Sequence, residues 1–173
     1  MRPVCAGDVP ALRSLFQRSE VSTAYGVEHR DPYIRGVGER YTEKTLSTDL
    51  ASFASLSSVF KKRASEYWVA EHVPSGAVAG MVAVECFSPG VGELRRMAVD
   101  EAFRRRGLAM RLVLHALDFA QQAGLHTVTL TTQVGQCLPI CSTTSRTLAW
   151  TFPRVICLCF VTPSIVLVCP VLQ

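Results

Sequence analysis

The sequence predicts an α/β protein whose mixed sheet carries helices on its faces. Three observations support this. The chain has 173 residues, 49% of them hydrophobic and 18% charged, which suits one domain with a continuous core. The segment EYWVAEHVPSGAVAGMVAVE is rich in β-branched and aromatic residues and breaks once, at Pro74, Ser75 and Gly76, as an antiparallel hairpin does. Further on, a run with apolar residues at helical spacing lies between two strand-like runs.

The elements follow in order. The opening MRPVCAGDVPALRSLF predicts a short strand and then a helix. Asp8 is placed to accept from first-turn amides and Pro10 is tolerated in that turn, while Val9, Leu12, Leu15 and Phe16 share a face. Gln17 to Thr45 is polar and contains Gly26, Pro32, Gly36 and Gly38, so it predicts a loop or lid. Thr48 and Asp49 resemble a helix start, with Leu50, Phe53, Leu56 and Phe60 as its buried stripe. The basic run Lys61, Lys62, Arg63 complements the end of that helix. After the hairpin and a loop from Ser88 to Gly92, ELRRMAV predicts a strand ending at Val99. A helix from about Arg106 places Leu108, Leu112, Ala116 and Phe119 on one side, Gly124 caps it, and HTVTLTT is one more strand. The order βα, α, βββ, α, β gives a mixed sheet with helices on its faces.

Composition narrows the function classes. A net charge of +4, much of it local, gives no indication of a nucleic-acid partner. Asp8 and Pro10 interrupt the place where a secretory signal needs its apolar core, so none is expected. Of seven cysteines, Cys137, Cys141, Cys157, Cys159 and Cys169 fall in the last 37 residues, at spacings that fit neither a zinc ribbon nor a disulfide framework. No metal is expected.

The chain changes character near Gln133. After Asp118 it has no Asp, Glu or Lys, and from Val155 to Leu172 it is uncharged for 18 residues. Two readings stand for residues 134–173, an atypical Cys-rich apolar tail. One is a tail anchor, since a membrane helix needs about 20 apolar residues, although Pro163 and Pro170 oppose it. The other is a replaced C-terminus of little structural specification. Localisation is accordingly expected to be cytoplasmic, or membrane-associated through residues 155–172.

Chemistry concentrates where ELRRMAV ends. DEAFRRR and the helix opening at Gly107 bring several main-chain N–H groups and three arginines to one helix N-terminus. There the free amides and the positive end of the dipole suit a diphosphate. Gly107 and the small Ala109 permit close approach. A nucleotide P-loop lacks its Gly-Lys-Ser/Thr here, and no GxGxxG occurs. A solvated arginine-rich surface is the competing reading of this motif.

Arg104, Arg105, Arg106, Gly107, Leu108 and Ala109 match the R/Q-x-x-G-x-G/A signature, so the chain resembles the GNAT superfamily of acetyl-CoA-dependent N-acetyltransferases. RPVCAGDVPALRSLF and GELRRMAVDEAFRRRGLAMRLV are similar to the superfamily's first strand and helix and to its central strand, cofactor turn and helix. YTEKTLSTDLASF followed by EYWVAEHVPSGAVAGMVAVE resembles the camello-like branch. The likeness covers about residues 1–133, read as an incomplete N-acetyltransferase domain. It implies a mostly antiparallel GNAT-like sheet whose C-terminal part is missing or atypical here.

The resemblance implies direct acetyl transfer from acetyl-CoA to a primary amine of a small molecule or protein. The pantetheine arm would lie along Met97, Ala98 and Val99, and the diphosphate on the amides from Arg104 to Ala109. It also implies a general base, for which Glu93 on the central strand is the candidate, with an ion pair to Arg95 as the bland reading. Glu71 and Glu85 are substitutes, and His115 is expected on the helix surface. The family's acid is a Tyr in the helix after the fifth strand, but this chain has no Tyr after Tyr67. The alternative is therefore a catalytically impaired, truncated member that binds CoA or a partner without turnover. The long apolar segment that camello-like members carry after the first helix is replaced here by the short polar interval Gln17 to Arg40.

Overall fold

The computed structural model describes residues 1–23, 32–133, 149–152, 155–161 and 164–170. The elements are β1 (Arg2–Pro3), α1 (Val9–Thr23), α2 (Pro32–Ser47), α3 (Phe53–Phe60), β2 (Glu66–His72), β3 (Ala77–Ser88), β4 (Val91–Val99), α4 (Leu108–Gln122), β5 (Thr127–Gln133), β6 (Ala149–Phe152), β7 (Val155–Val161) and β8 (Ser164–Pro170). They form one eight-stranded sheet in the order β1-β2-β3-β4-β5-β8-β7-β6. Every pairing is antiparallel except β4 with β5. The expected mixed, mostly antiparallel sheet flanked by helices is what the chain forms.

Strand alternation divides the core between the two faces. Tyr67, Val69, Met81 and Ala83 point to one side and pack with Leu12, Leu15, Phe16, Leu50, Leu56 and Phe60. Trp68, Ala70, Val82 and Val84 point to the other and pack with Leu112, Ala116 and Ala120 of α4. Gly80 lets α4 sit close, because a Cβ there would lie 3.0 Å from a Leu112 methyl and 3.1 Å from the Ala98 carbonyl.

Three local expectations are corrected. Asp8 ends a 3-10 turn ahead of α1, where its carboxylate accepts the Cys5 amide at 2.8 Å and both Arg2 terminal nitrogens at 2.7 and 2.8 Å. The interval Gln17 to Thr45, expected as loop, is largely helical, since α1 runs to Thr23 and α2 spans Pro32–Ser47. Residues 24–31 of that interval lie outside the described residues. The next helix begins after Ser52, whose hydroxyl accepts the Ser55 amide at 3.1 Å. Thr48 and Asp49 belong instead to the turn that follows α2.

The apolar run Val155 to Leu172 is not one membrane-spanning helix. It supplies β7 and β8, and β8 pairs with the full length of β5, from Thr127 opposite Pro170 to Gln133 opposite Ser164. Among the described residues no helix is long and apolar enough to cross a membrane. Cys137 and Cys141 lie outside the described residues.

Candidate functional site

The site forms where β4 parts from β5. Their parallel pairing runs from Val91 opposite Thr127 to Leu94 opposite Leu130, and stops there. From Arg95 to Val99 one edge of β4 therefore has no strand beside it among the described residues. The Asp100 amide bonds the Ala79 carbonyl of β3 at 2.9 Å. By two-residue alternation Ala98 turns its main-chain groups toward β3, while Met97 and Val99 turn theirs to the open edge. Arg104 Nε already donates to the Val99 carbonyl there, at 3.1 Å.

The parting coincides with a bulge. Ala83 lies opposite Arg95 and Met81 opposite Ala98, so two residues of β4, Arg96 and Met97, face the single Val82. Without the extra residue, Arg96 would follow Leu94 onto the α4 face. With it, Arg96 turns to the α1–α3 side and is 8% exposed. Its Nε donates to Asp49 Oδ2 at 2.7 Å, its Nη1 donates to the Tyr41 hydroxyl, and its guanidinium stacks 5.6 Å from the Phe16 ring and 5.5 Å from the Tyr41 ring. Burial alone would pull its pKa down, but the hydrogen bond to Asp49 and nearby Tyr41 and Asp49 hold it above the ordinary value.

Beyond β4, a 3-10 turn at Glu101–Phe103, capped by Asp100, leads to the arginines. Arg105 has φ 59° and Gly107 φ 73°, and such left-handed residues turn successive amides toward one side as an anion-binding nest. The Arg111 amide bonds the Gly107 carbonyl at 3.1 Å, so Leu108, Ala109 and Met110 have no helix carbonyl to bond and leave their amides free of the helix. Arg105 and Arg106 are exposed, and Arg104 is half-buried. A Cβ at Gly107 would meet nothing within 4 Å. Within the protein the glycine is thus demanded by backbone conformation, and the space before it is open.

Glu93 lies on β4 directly opposite Glu85 of β3, and both are half-buried. Arg95 serves both carboxylates: its Nη1 is hydrogen-bonded to Glu85, and its Nε lies 3.9 Å from Glu93 Oε2. The candidate base and the bland ion pair therefore coexist, with the tighter bond going to Glu85. Glu71 stands apart, its carboxylate accepting Arg2 Nε at 2.7 Å near β1. His115 is half-buried rather than fully on the helix surface. It packs edge-on to Trp68 at 5.1 Å, and its Nε2 is buried without a partner among the described residues.

A cavity of about 510 Å³ opens on the α2–α3 side of this region, lined among others by Tyr41, Lys44, Asp49, Glu85, Arg95 and Arg96. Sequence reasoning missed Tyr41, Asp49 and Arg96 as site residues. Their only trace in the sequence was two adjacent arginines on one strand, where simple alternation would bury one of them in apolar core. Tyr67 is fully buried with its hydroxyl on Met81 Sδ at 3.1 Å, and burial holds its phenol far above the ordinary range. It cannot exchange protons with a ligand at the cleft. Among the described residues no group of three or more His, Cys, Asp and Glu could hold a metal ion.

A model of the acetyltransferase (GNAT) family matches residues 25–137. The N-acetylaspartate synthetase of Danio rerio is 36% identical over 101 residues, 58% of this chain and 34% of that protein. The human N-acetylaspartate synthetase is 38% identical over 89 residues, 51% of this chain and 28% of that protein. The chain thus spans about a third of the length of these relatives. The PaiA N-acetyltransferase of Thermoplasma acidophilum, solved with coenzyme A, superposes with a TM-score of 0.62 over 98% of this chain and 96% of its own at 13% identity. That likeness shows the shared fold.

Proposed function

Because the chain belongs to the acetyltransferase (GNAT) family, we propose that it transfers an acetyl group from acetyl-CoA directly to a primary amine of a small molecule or protein. The observation that carries this reading is a single juxtaposition. The left-handed turn at Arg105 and Gly107 presents the free amides of α4 beside the stretch of β4 that has no strand partner. An anion nest at the end of an open strand edge fits a ligand with a diphosphate and an amide-bearing arm, and coenzyme A has both.

Bound acetyl-CoA supplies an activated acetyl thioester. The amides of Leu108, Ala109 and Met110 hold the diphosphate, with the arginines from Arg104 to Arg106 adding positive charge around it. Met97 and Val99 pair the arm with their outward main-chain groups, and Ala98 between them packs toward the core. A strand N–H facing the cleft donates to the carbonyl oxygen as negative charge develops on it. Glu93 receives the proton that the acceptor's ammonium must lose, through water, while Arg95, its Nε 3.9 Å away, orients the carboxylate. Attack by the amine would form the carbon–nitrogen bond first, and the carbon–sulfur bond would break as the carbonyl re-forms, with solvent protonating the departing thiolate.

The acceptor enters through the cavity beside Lys44, Glu85 and Arg95. Since the relatives are N-acetylaspartate synthetases, an amino acid such as aspartate is the first acceptor to test. Residues 1–133 are read as an incomplete acetyltransferase domain that carries the site, and residues 134–173 as an atypical Cys-rich apolar tail whose described strands extend the sheet past β5. The family reading supports acetyl-CoA and an amine as partners, and neither nucleic acid nor a metal is expected.

Titration calorimetry with coenzyme A, followed by thiol-release assays across primary amines that include aspartate, tests the proposal. Saturable binding with amine-dependent thiol release is expected. Binding without release would favour the catalytically impaired reading, and absence of binding would overturn the cofactor assignment.

A further inference from the structure

Resting on the cofactor reading above, we propose that Arg96 is a positioning residue. Its clamped guanidinium holds the β4 bulge in a left-handed conformation, and so aims the edge from Met97 to Val99 at the arm of coenzyme A.

Four observations converge. Three non-glycine residues among those described have positive φ, namely Ala64, Arg96 and Arg105. Ala64 and Arg105 lie in turns, and Arg96, at φ 54°, lies inside a strand. Side chains resist that conformation, so the surrounding structure has to impose it. The restraint comes from three separate places: Phe16 on α1, Tyr41 on α2 and Asp49 in the turn after α2. The side chains of Arg96 and Asp49 are only 5% and 6% exposed. A buried ion pair of this kind is weak evidence for stability, since apolar residues of similar size do as well, whereas it does fix a geometry. Finally, the bulge falls just past the last residue of β4 that pairs with β5. The same residue therefore turns β4 away from β5 and sets the direction of the strand edge that follows.

Removing one partner would leave a buried charge and unfold the site for an unrelated reason, so the test removes both. D49N/R96A and D49N/R96G both abolish the ion pair, but glycine adopts positive φ freely and alanine does not. Affinity is measured for coenzyme A and for 3′-phospho-ADP, its nucleotide half, which reaches the α4 amides without touching β4.

Both variants are expected to keep 3′-phospho-ADP affinity within about threefold of the parent. The alanine variant should lose about tenfold of the extra affinity that the arm confers, the equivalent of one hydrogen bond. Its kcat for acetyl transfer should fall by up to about 10²-fold, as for a misplaced reacting group. The glycine variant should recover a measurable part of both losses. Equal loss of both ligands in the alanine variant would make Arg96 merely structural and overturn the proposal. So would identical behaviour of the alanine and glycine variants, or no loss of coenzyme A affinity in either. A parent that binds neither ligand would overturn the cofactor reading itself, and this proposal with it.

Discussion

On the α4 face of the sheet, Trp68, Val82, Val84, Leu94, Leu112 and Ala116 form a buried apolar cluster over regular strand alternation. On the α1–α3 face, the cluster around Leu12, Leu56, Phe60 and Tyr67 borders a buried arginine and aspartate at a bulge where alternation breaks. Apolar contact is non-directional and stabilises any arrangement that excludes water. A buried ion pair contributes little net energy, and the one at this bulge is proposed to fix its geometry. The first face holds the fold together, and the second carries the groups proposed to do chemistry. Substitutions should therefore separate stability from activity according to the face they touch.

The largest effect is expected at Glu93 on the chemical face. Glu93→Gln should lower kcat/KM by about 10² to 10⁴ if the carboxylate is the base. The loss should be steepest below about pH 8, where an α-amino acceptor is largely protonated. Thermal stability should hardly move, and a loss that is flat across pH would reduce Glu93 to shaping the site.

Leu112→Ala, on the opposite face, should do the reverse. Leu112 is fully buried, so its truncation should lower the unfolding free energy by about 3 kcal/mol in a denaturant titration. Turnover per folded molecule should stay close to that of the parent. A matching collapse of turnover would break the division between the faces.

Gly107→Val tests the helix end at the rim of the apolar face. The left-handed φ of 73° makes valine unfavourable there by about 1 to 2 kcal/mol, and its side chain would enter the open space before the turn. Coenzyme A affinity in calorimetry should fall by about tenfold or more. Unchanged affinity would remove the turn from the site.

The smallest effect concerns the ion pair that ties β1 to the start of α1. The hydrogen bond from Arg2 holds Asp8 down to about 2, from an ordinary 3.8. A carboxylate pKa depressed in the folded state stabilises above the unfolded value and loses that contribution as pH falls through the folded one. Part of the stability, of order 1 to 2 kcal/mol after allowing for the half-exposed Arg2, should vanish between about pH 4 and 2. Asp8→Asn should flatten that portion of the pH–stability curve measured by thermal melts.

Much of this was legible in the sequence wherever a local pattern had one physical solution. The hairpin over Glu66 to Glu85, the strand ending at Val99 and α4 with its Gly124 end all appear in the expected places, although β3 runs on to Ser88 and β4 starts at Val91, which shortens the loop expected from Ser88 to Gly92. So does the arginine–glycine turn, because backbone conformation and helix ends are dictated by neighbours in the chain. The interval before Thr45 predicts a loop because its glycines and polar residues weaken local helix propensity. Packing stabilises α2 nonetheless, with Leu46 against the core and Thr45 buried. Thr48 and Asp49 have the composition of a helix cap. Asp49 instead serves Arg96, 47 positions away. The uncharged tail carried no period that distinguished a membrane helix from strands, and pairing with β5 decides between them.

The sequence by itself determined the order of strands and helices from Glu66 to Gln133 and the arginine–glycine turn before α4, since both follow from periodicity, capping and the conformational freedom of glycine over a few neighbouring residues. Only the tertiary structure decided which face Arg96 takes, that Glu93 shares Arg95 with Glu85, and where β4 leaves β5. Each depends on a single inserted residue and on partners remote in the chain. One residue of register reverses every side chain that follows it, and nothing in the local sequence sets that register.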